Sequence, residues 1–440
     1  MLEESVKYIE KLLIKYSKSY IHAAVLIKYI AVKKLFSLIV LGLVCLPIAL
    51  FAQTDLEERI GDDIRFPTLP FYSYGSGLGL TTPDSTFRLN IRFRMQNRAT
   101  FISEDNQEDA IDAAVRRLRL RFDGFVGDPR FLYAIQLSFS PGDVGELSDG
   151  DNINIIRDAV MFYRPNENWN IAFGQTKLPG NRQRINSSGA LQLTDRSINN
   201  SRFNIDRDYG LQVYYLNEDT ERASWNIKTA VSTGNGRNWT RNTDTKLAYT
   251  GKLELFPFGA FRRDGSQFEG DLLREDTPKL LLSGVYHFNK GALREFGQRG
   301  NELFEQRDIT SLFFDAMVKY RGWSFQTAYM TRLADDPITI NPVDESDTRS
   351  VFAGDGFDFQ LSHLFKNNYE VIGRYSTQSP SDDLDTIIPK REQYSVGLTR
   401  YIWEHALKLQ TELTYNTRSF QHSSQDLDGW YLRFQVEIGI

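Results

Sequence analysis

The sequence predicts an all-β protein, a transmembrane antiparallel up-and-down β-barrel of about 16 strands, and three observations carry that prediction. A basic pair and an apolar run form an export signal ahead of the body. From Phe87 onward, segments of about ten residues alternate apolar and polar side chains with period two. Between these segments, long polar loops alternate with short turns, as they do where a barrel has one short-turn rim and one long-loop rim.

Lys33 and Lys34 precede the apolar run Leu35 to Phe51, which closes on Ala52 before polar Gln53. Residues 33–52 therefore read as a signal peptide cut after Ala52, which implies export. Residues 1–32 make an abnormally long n-region, whereas a start at Val32 gives an ordinary one. We expect 1–32 to be a gene-calling extension, and a codon other than GTG at Val32 contradicts this. The single cysteine, Cys45, lies inside the removed run and lacks the small preceding residue that lipid attachment needs, since Val44 stands there. The mature chain then has no thiol for a disulfide, a nucleophile or a metal ligand. Removing residues 1–52 deletes 7 basic and 3 acidic residues, leaving 45 against 54 and a net charge of -9. That balance argues against nucleic acid as a partner.

Residues 53–85 are expected to form an N-terminal periplasmic segment and residues 86–440 the barrel. In the first strand Phe87, Leu89, Ile91, Phe93 and Met95 share one face, and Arg88, Asn90, Arg92, Arg94 and Gln96 the other. Leu118, Leu120 and Phe122 then alternate with Arg117, Arg119, Arg121 and Asp123. Tyr133, Ile135, Leu137 and Phe139 alternate with Ala134, Gln136 and Ser138. The pattern lasts to the end, where Trp430, Leu432, Phe434, Val436, Ile438 and Ile440 oppose Tyr431, Arg433, Gln435 and Glu437. Strands are expected at 86–101, 115–126, 130–140, 155–164, 169–176, 208–216, 223–233, 245–256, 279–289, 310–321, 323–332, 356–366, 369–378, 393–402, 405–415 and 429–440.

Long loops fall at 102–114, 141–154, 177–207, 234–244, 290–309, 333–355, 379–392 and 416–428, with short turns such as Gly127-Asp128-Pro129 and Trp403-Glu404 between them. The connection 257–278 stands on the short-turn side, and its length does not follow from this rhythm. An even strand number and an alternating, aromatic last strand favour closure, because an open sheet would expose unpaired edges. Trp169, Trp225, Trp323, Trp403, Tyr369 and Tyr401 lie beside short turns, where an interfacial girdle is expected. A soluble sandwich or propeller shares the alternation, but not the loop rhythm, the signal and the terminal strand together.

Catalysis finds little support. After cleavage, His287, His363, His405 and His422 remain, well separated, with no His-Glu-x-x-His or Gly-x-Ser-x-Gly motif. His363 falls on an apolar strand face and reads as a packed residue. Asp149-Gly150-Asp151-Asn152 reads as a hydrated turn rather than a calcium loop. No cofactor or metal is implied.

The body resembles the phosphate-selective porin O and P family over nearly all of residues 75–440. The likeness is carried by Gly77-Leu78-Gly79-Leu80, by Phe87 to Gln96, and by Arg116-Arg117-Leu118-Arg119-Leu120 with Gly124. Gly174-Gln175-Thr176-Lys177-Leu178-Pro179, Asp195-Arg196-Ser197 and Arg207-Asp208-Tyr209-Gly210-Leu211-Gln212 continue it. The resemblance implies a 16-stranded barrel in outer-membrane lipid, commonly a homotrimer, whose third long loop folds into the lumen as a constriction. It also implies a porin for passive diffusion of small hydrophilic solutes, anions such as phosphate among them. The alternative is a non-conducting outer-membrane barrel with an adhesion, assembly or hydrolase role.

An arginine facing lipid at mid-bilayer costs about 2–4 kcal/mol, so Arg88, Arg92, Arg94, Arg117, Arg119 and Arg121 should turn inward and line the lumen wall. There they either lower the barrier for an anion or pair with carboxylates such as Asp123. Loop 177–207 is the candidate pore constriction. Its 31 residues carry Lys177, Arg182, Arg184, Arg196 and Arg202 against Asp195, and end at Asp206 and Arg207. Excess positive charge in a narrow channel concentrates anions.

Overall fold

The computed structural model describes residues 77–144, 155–238, 244–420 and 427–440. The expected extension 1–32, the signal 33–52 with Cys45, most of segment 53–85, the Asp149 to Asn152 turn and His422 lie outside the described residues. The strands are β1 Leu78–Thr81, β2 Phe87–Glu104, β3 Ala110–Val126, β4 Asp128–Ser138, β5 Ile156–Tyr163, β6 Trp169–Lys177 and β7 Arg207–Asn217. They continue as β8 Ser224–Ser232, β9 Ala248–Phe256, β10 Lys279–Arg294, β11 Glu302–Tyr320 and β12 Trp323–Leu333. β13 Ile338–Ile340 and β14 Thr348–Ser350 form a separate hairpin, and β15 Gly354–Leu364, β16 Tyr369–Pro380, β17 Lys390–Trp403, β18 Leu407–Ser419 and β19 Leu427–Gly439 complete the set.

Sixteen strands, β2 to β12 and β15 to β19, pair antiparallel in chain order. The ring closes where β19 returns to β2, from Gly429 opposite Glu104 to Gly439 opposite Arg94. Closure leaves every spanning strand with two partners, the condition for backbone in lipid. β19 stops opposite Arg94, so the edge of β2 below that point would be bare. β1 covers it, pairing Leu78 with Ile91 and Thr81 with Arg88. Part of the segment expected to precede the barrel thus belongs to its sheet.

The apolar face of each strand points outward. Phe93, Ile135, Phe173, Leu211, Leu361, Leu398 and Phe434 are exposed, while the intervening Arg92, Ala134, Gln212, Gln360, Thr399 and Gln435 are buried inside. Trp169, Trp225, Trp323, Trp403 and Tyr369 stand outside beside the short turns. Tyr401 does not join them. By plain alternation it shares the inner face with Thr399, and its hydroxyl donates to Glu370 Oε2 at 2.6 Å; the register shift comes after it, before Trp403. His363 packs outside between Trp323 and Phe365. Val396, mid-strand in β17, is 62 % exposed on this face. Val396→Arg should therefore lower unfolding free energy by about 2–4 kcal/mol in a bilayer, read by denaturant titration in vesicles.

Two expected loops prove shorter by more than half. β2 and β3 run on through 102–104 and 110–114, and β10 and β11 through 290–294 and 302–309. Outside the hydrocarbon the outer face meets water, so alternation disappears while ladder hydrogen bonding continues.

The lumen is partly filled. Leu178, Phe203 and Ile205 of the loop after β6 pack on Ala230, Val285, Phe313, Ala328 and Met330, the inward residues of β8, β10, β11 and β12. The connection 257–278 also turns inward, with Ala260 and Phe261 packed on Phe256, Leu281 and Met317. Each such buried side chain contributes about 1.5–3 kcal/mol, enough to hold both segments on this wall. The opposite wall, β2 to β7, keeps a mainly polar inner face, interrupted by Ala134, Val160, Phe162 and Ala172 on β4, β5 and β6.

Candidate functional site

Fourteen cationic side chains and five carboxylates line one cavity of about 410 Å³ between the β2–β7 wall and the loop 178–206. Among the wall residues expected there, Arg92, Arg94, Arg117, Arg119 and Arg121 line it; of the loop residues, Lys177, Arg184, Arg196 and Arg207 do. Arg88, Arg182 and Arg202 do not. Arg88 sits exposed at the turn end of β2, with Nε donating to Asn90 Oδ1 at 3.2 Å. Arg182 is buried beneath the loop, where its amide donates to Asp315 Oδ2 at 3.2 Å and its guanidinium to Gln326. Arg202 stacks on Phe296 and Phe352, because its turn packs against the outer loops rather than the cavity.

Alternation did not reveal Arg116 and Arg157, which also line the cavity. β3 carries a bulge where Gln96 pairs Arg117 and Asn97 pairs Val115, so Arg116 and Arg117 both turn inward. β5 does the same where Gln136 pairs Asp158 and Leu137 pairs Ile156, which brings in Arg157 beside Asp158. A bulge sets two consecutive residues against one on the partner strand. The signal was present in the sequence: two adjacent charged residues within a spanning strand leave one facing lipid unless the strand bulges. Arg237, Arg299 and Arg433 complete the cation set, from loops and the closing strand.

The loop is held to the far wall through its backbone. Lys408 Nζ donates to Gly189 O at 2.9 Å and Leu191 O at 2.7 Å, and Gln410 Nε2 donates to Gln192 O at 2.8 Å. Glu412 accepts from Thr194 N–H at 2.9 Å, Asp358 from Ser197 Oγ at 2.7 Å, and Phe203 O accepts from Arg332 at 3.1 Å. The fit depends on Gly356, where a Cβ would stand 2.7 Å from Phe203 Cε2. So restrained, the loop offers Ser187, Ser188, Gly189, Asp195 and Arg196 to the cavity.

Four of the five carboxylates there serve more than one cation. Asp195 meets Arg116 at 2.8 Å, Arg117 at 2.9 Å and Arg98 at 3.3 Å. Asp143 bridges Arg119 and Arg157, Asp158 holds Arg207 at 2.9 Å, and Asp206 holds Arg184. Glu437 lies 3.3 Å from Lys408 and 3.8 Å from Arg94. Burial works to raise the Asp195 carboxyl, but Arg117, Arg116 and Arg98 outweigh it and hold the group well below the usual carboxylate range. Other cations are hydrogen-bonded to neutral partners, Arg94 in addition to its long contact with Glu437. Arg94 donates to Ser187 Oγ at 3.0 Å and Ser188 Oγ at 2.7 Å, Arg196 to Gln183 O at 2.7 Å and Asn186 O at 2.8 Å. Arg433 lies 3.8 Å from the Tyr431 ring centroid. The cavity's cations are thus paired in part and exceed its carboxylates in number.

A closed barrel of sixteen strands, apolar outside and enclosing a charged cavity, has the architecture of an outer-membrane β-barrel. Residues 89–262 match the family described as "Phosphate-selective porin O and P", so the resemblance drawn from the sequence holds over that stretch. Among solved structures, the outer membrane channel DcaP of Acinetobacter baumannii is similar at 13 % identity, with 82 % of this chain and 99 % of that one covered and a TM-score of 0.51. The anion-selective porin from Comamonas acidovorans is similar at 11 % identity, with 80 % and 99 % covered and a TM-score of 0.50. At these identities the likeness establishes a shared fold. Comparison with curated proteins gave no match.

Proposed function

We propose that the cavity is the path of an anion-preferring porin, that its solutes are small hydrophilic anions of the inorganic phosphate class, and that movement is passive. The observation that carries this reading is the excess of fourteen cations over five carboxylates around one cavity. Field lines focused by low-dielectric walls concentrate counter-ions, here anions, at the narrowest point. Guanidinium groups suit such solutes because their planar fork matches a phosphate's oxygens. Arg92, Arg94, Arg117, Arg119, Arg121, Lys177 and Arg207 on the wall, with Arg184 and Arg196 of the loop across from them, are the groups a solute meets. The excess persists although the mature chain is acidic overall, because the carboxylates lie mainly elsewhere. From the family resemblance we carry over assembly as a homotrimer in outer-membrane lipid, which chemical cross-linking in detergent reads directly.

Proteoliposomes test the reading. Swelling in isotonic arabinose reports an open passage, and efflux of inorganic phosphate against sodium reports preference. We expect arabinose entry and phosphate efflux about five-fold faster than sodium efflux. Vesicles closed to arabinose would favour the non-conducting adhesion, assembly or hydrolase alternative, and equal efflux would remove the anion preference.

A further inference from the structure

The connection 257–278 lines no part of the described cavity, yet it is bonded to the loop that does. Its carbonyls at Gly265, Phe268 and Gly270 accept hydrogen bonds from Lys319 Nζ at 2.7, 2.8 and 2.7 Å, and the Phe268 ring centroid lies 4.2 Å from the same nitrogen. Asp271 accepts from Gly322 N–H at 2.7 Å, and Glu269 O accepts from Ser324 Oγ at 2.6 Å and Gln326 Nε2 at 2.9 Å. These bonds fix the segment to β11, β12 and the turn between them.

From that base Glu269, only 1 % exposed, reaches the loop tip. Its amide donates to Ala190 O at 3.2 Å, and its Oε2 accepts from Gln192 N–H at 3.0 Å. A carboxylate buried this deeply needs hydrogen-bond donors, and a backbone amide of the loop is one of them. Lys408 grips Gly189 and Leu191 from β18, and Thr399 and Gln410 hold the Gln192 carbonyl, while Glu269 alone of these reaches the tip from the short-turn connection. One and two residues before Gly189, Ser188 and Ser187 receive Arg94.

We infer that Glu269 is a positioning residue for the constriction: anchored from the short-turn side, it sets where residues 187–192 stand and therefore how wide the passage is. The long connection, unexplained by strand rhythm, then has a role as a brace. This rests on the reading of the cavity as the solute path. It also requires that the effect run through the hydrogen bond to Gln192 rather than through charge at the cavity.

Single-channel recording in planar bilayers tests it with wild type, Glu269→Ala and Glu269→Gln. Glu269→Ala should change conductance about two-fold and raise open-channel noise, since pore width governs passage. Glu269→Gln keeps an oxygen that accepts from the Gln192 amide, so it should stay near wild type. Lys319→Met, which frees the base of the segment, should reproduce the alanine result, and it decides the matter if Glu269→Ala does not reach the folded state. Wild-type conductance and noise in Glu269→Ala, or a glutamine variant identical to the alanine one, would overturn the brace alone. A silent wild-type protein would remove the porin reading and the brace together.

Discussion

Replacing Arg94, Arg196 and Arg433 together with glutamine should lower the anion-over-cation permeability ratio about ten-fold, a change of ~1.4 kcal/mol in relative barrier. Arg94 donates to two serine hydroxyls, Arg196 to two backbone carbonyls, and Arg433 lies over a tyrosine ring. Glu437, 3.8 Å from Arg94, keeps Lys408 at 3.3 Å, so glutamine strands no buried anion and the barrel should fold unchanged. A unit charge ~4 Å from a solute ion contributes about 4 kcal/mol at an effective dielectric near 20, so even a strongly screened fraction from three charges reaches the expected effect. Reversal potentials in a salt gradient measure it. An unchanged ratio would mean that these groups do not set the field.

Asp195→Asn should act in the opposite direction, with greater anion preference and a weaker loop. Its carboxylate serves Arg98, Arg116 and Arg117, and the Arg117 side chain is 3 % exposed. Removing one member of a buried ion cluster costs about 3–5 kcal/mol, and the 22 % exposure of Asp195 places this case near the lower end. The loss falls on loop docking rather than on the barrel, whose ladders do not use Asp195. We therefore expect noisy channels of raised anion selectivity with normal heat-modifiable mobility on gels. The pH dependence has a definite sign. The folded carboxyl is held below its ordinary range, so its contribution is complete above about pH 4 and disappears only as more acid solution passes through the lowered value. Noise that rises between pH 7 and pH 5 would contradict this.

Much of the fold was legible because lipid imposes a strict code. Each spanning strand must be apolar at every second residue, and the alternation from Phe87 to Met95 or from Trp430 to Ile438 states its register directly. The code lapses where lipid ends, which is why the extensions of β2, β3, β10 and β11 beyond the membrane read as loops. It also lapses inside the barrel. There β10 and β11 carry apolar residues on both faces, Leu281, Val285, Phe313 and Met317 among them, because segments 178–206 and 257–278 pack on them. Nothing local to 257–278 announces that it folds inward; its partners Lys319, Ser324 and Gln326 are remote in sequence.

The site was partly legible for the same reason. The arginines at 92, 94, 117, 119 and 121 were placed by the cost of facing lipid, whereas Arg116 and Arg157 needed a bulge that period-two reasoning passes over. Loop arginines obey no such rule, and Arg182 and Arg202 went to packing while Arg184 and Arg196 went to the cavity.

The central claim is that water and anions cross through this cation-lined cavity. The most direct test is the zero-current potential of the purified wild-type protein in a planar bilayer under a ten-fold potassium chloride gradient, about 59 mV for an ideally selective pore. A conducting channel whose potential has the anion-selective sign is the predicted result. A channel with the cation-selective sign, or a bilayer that never conducts, would contradict it.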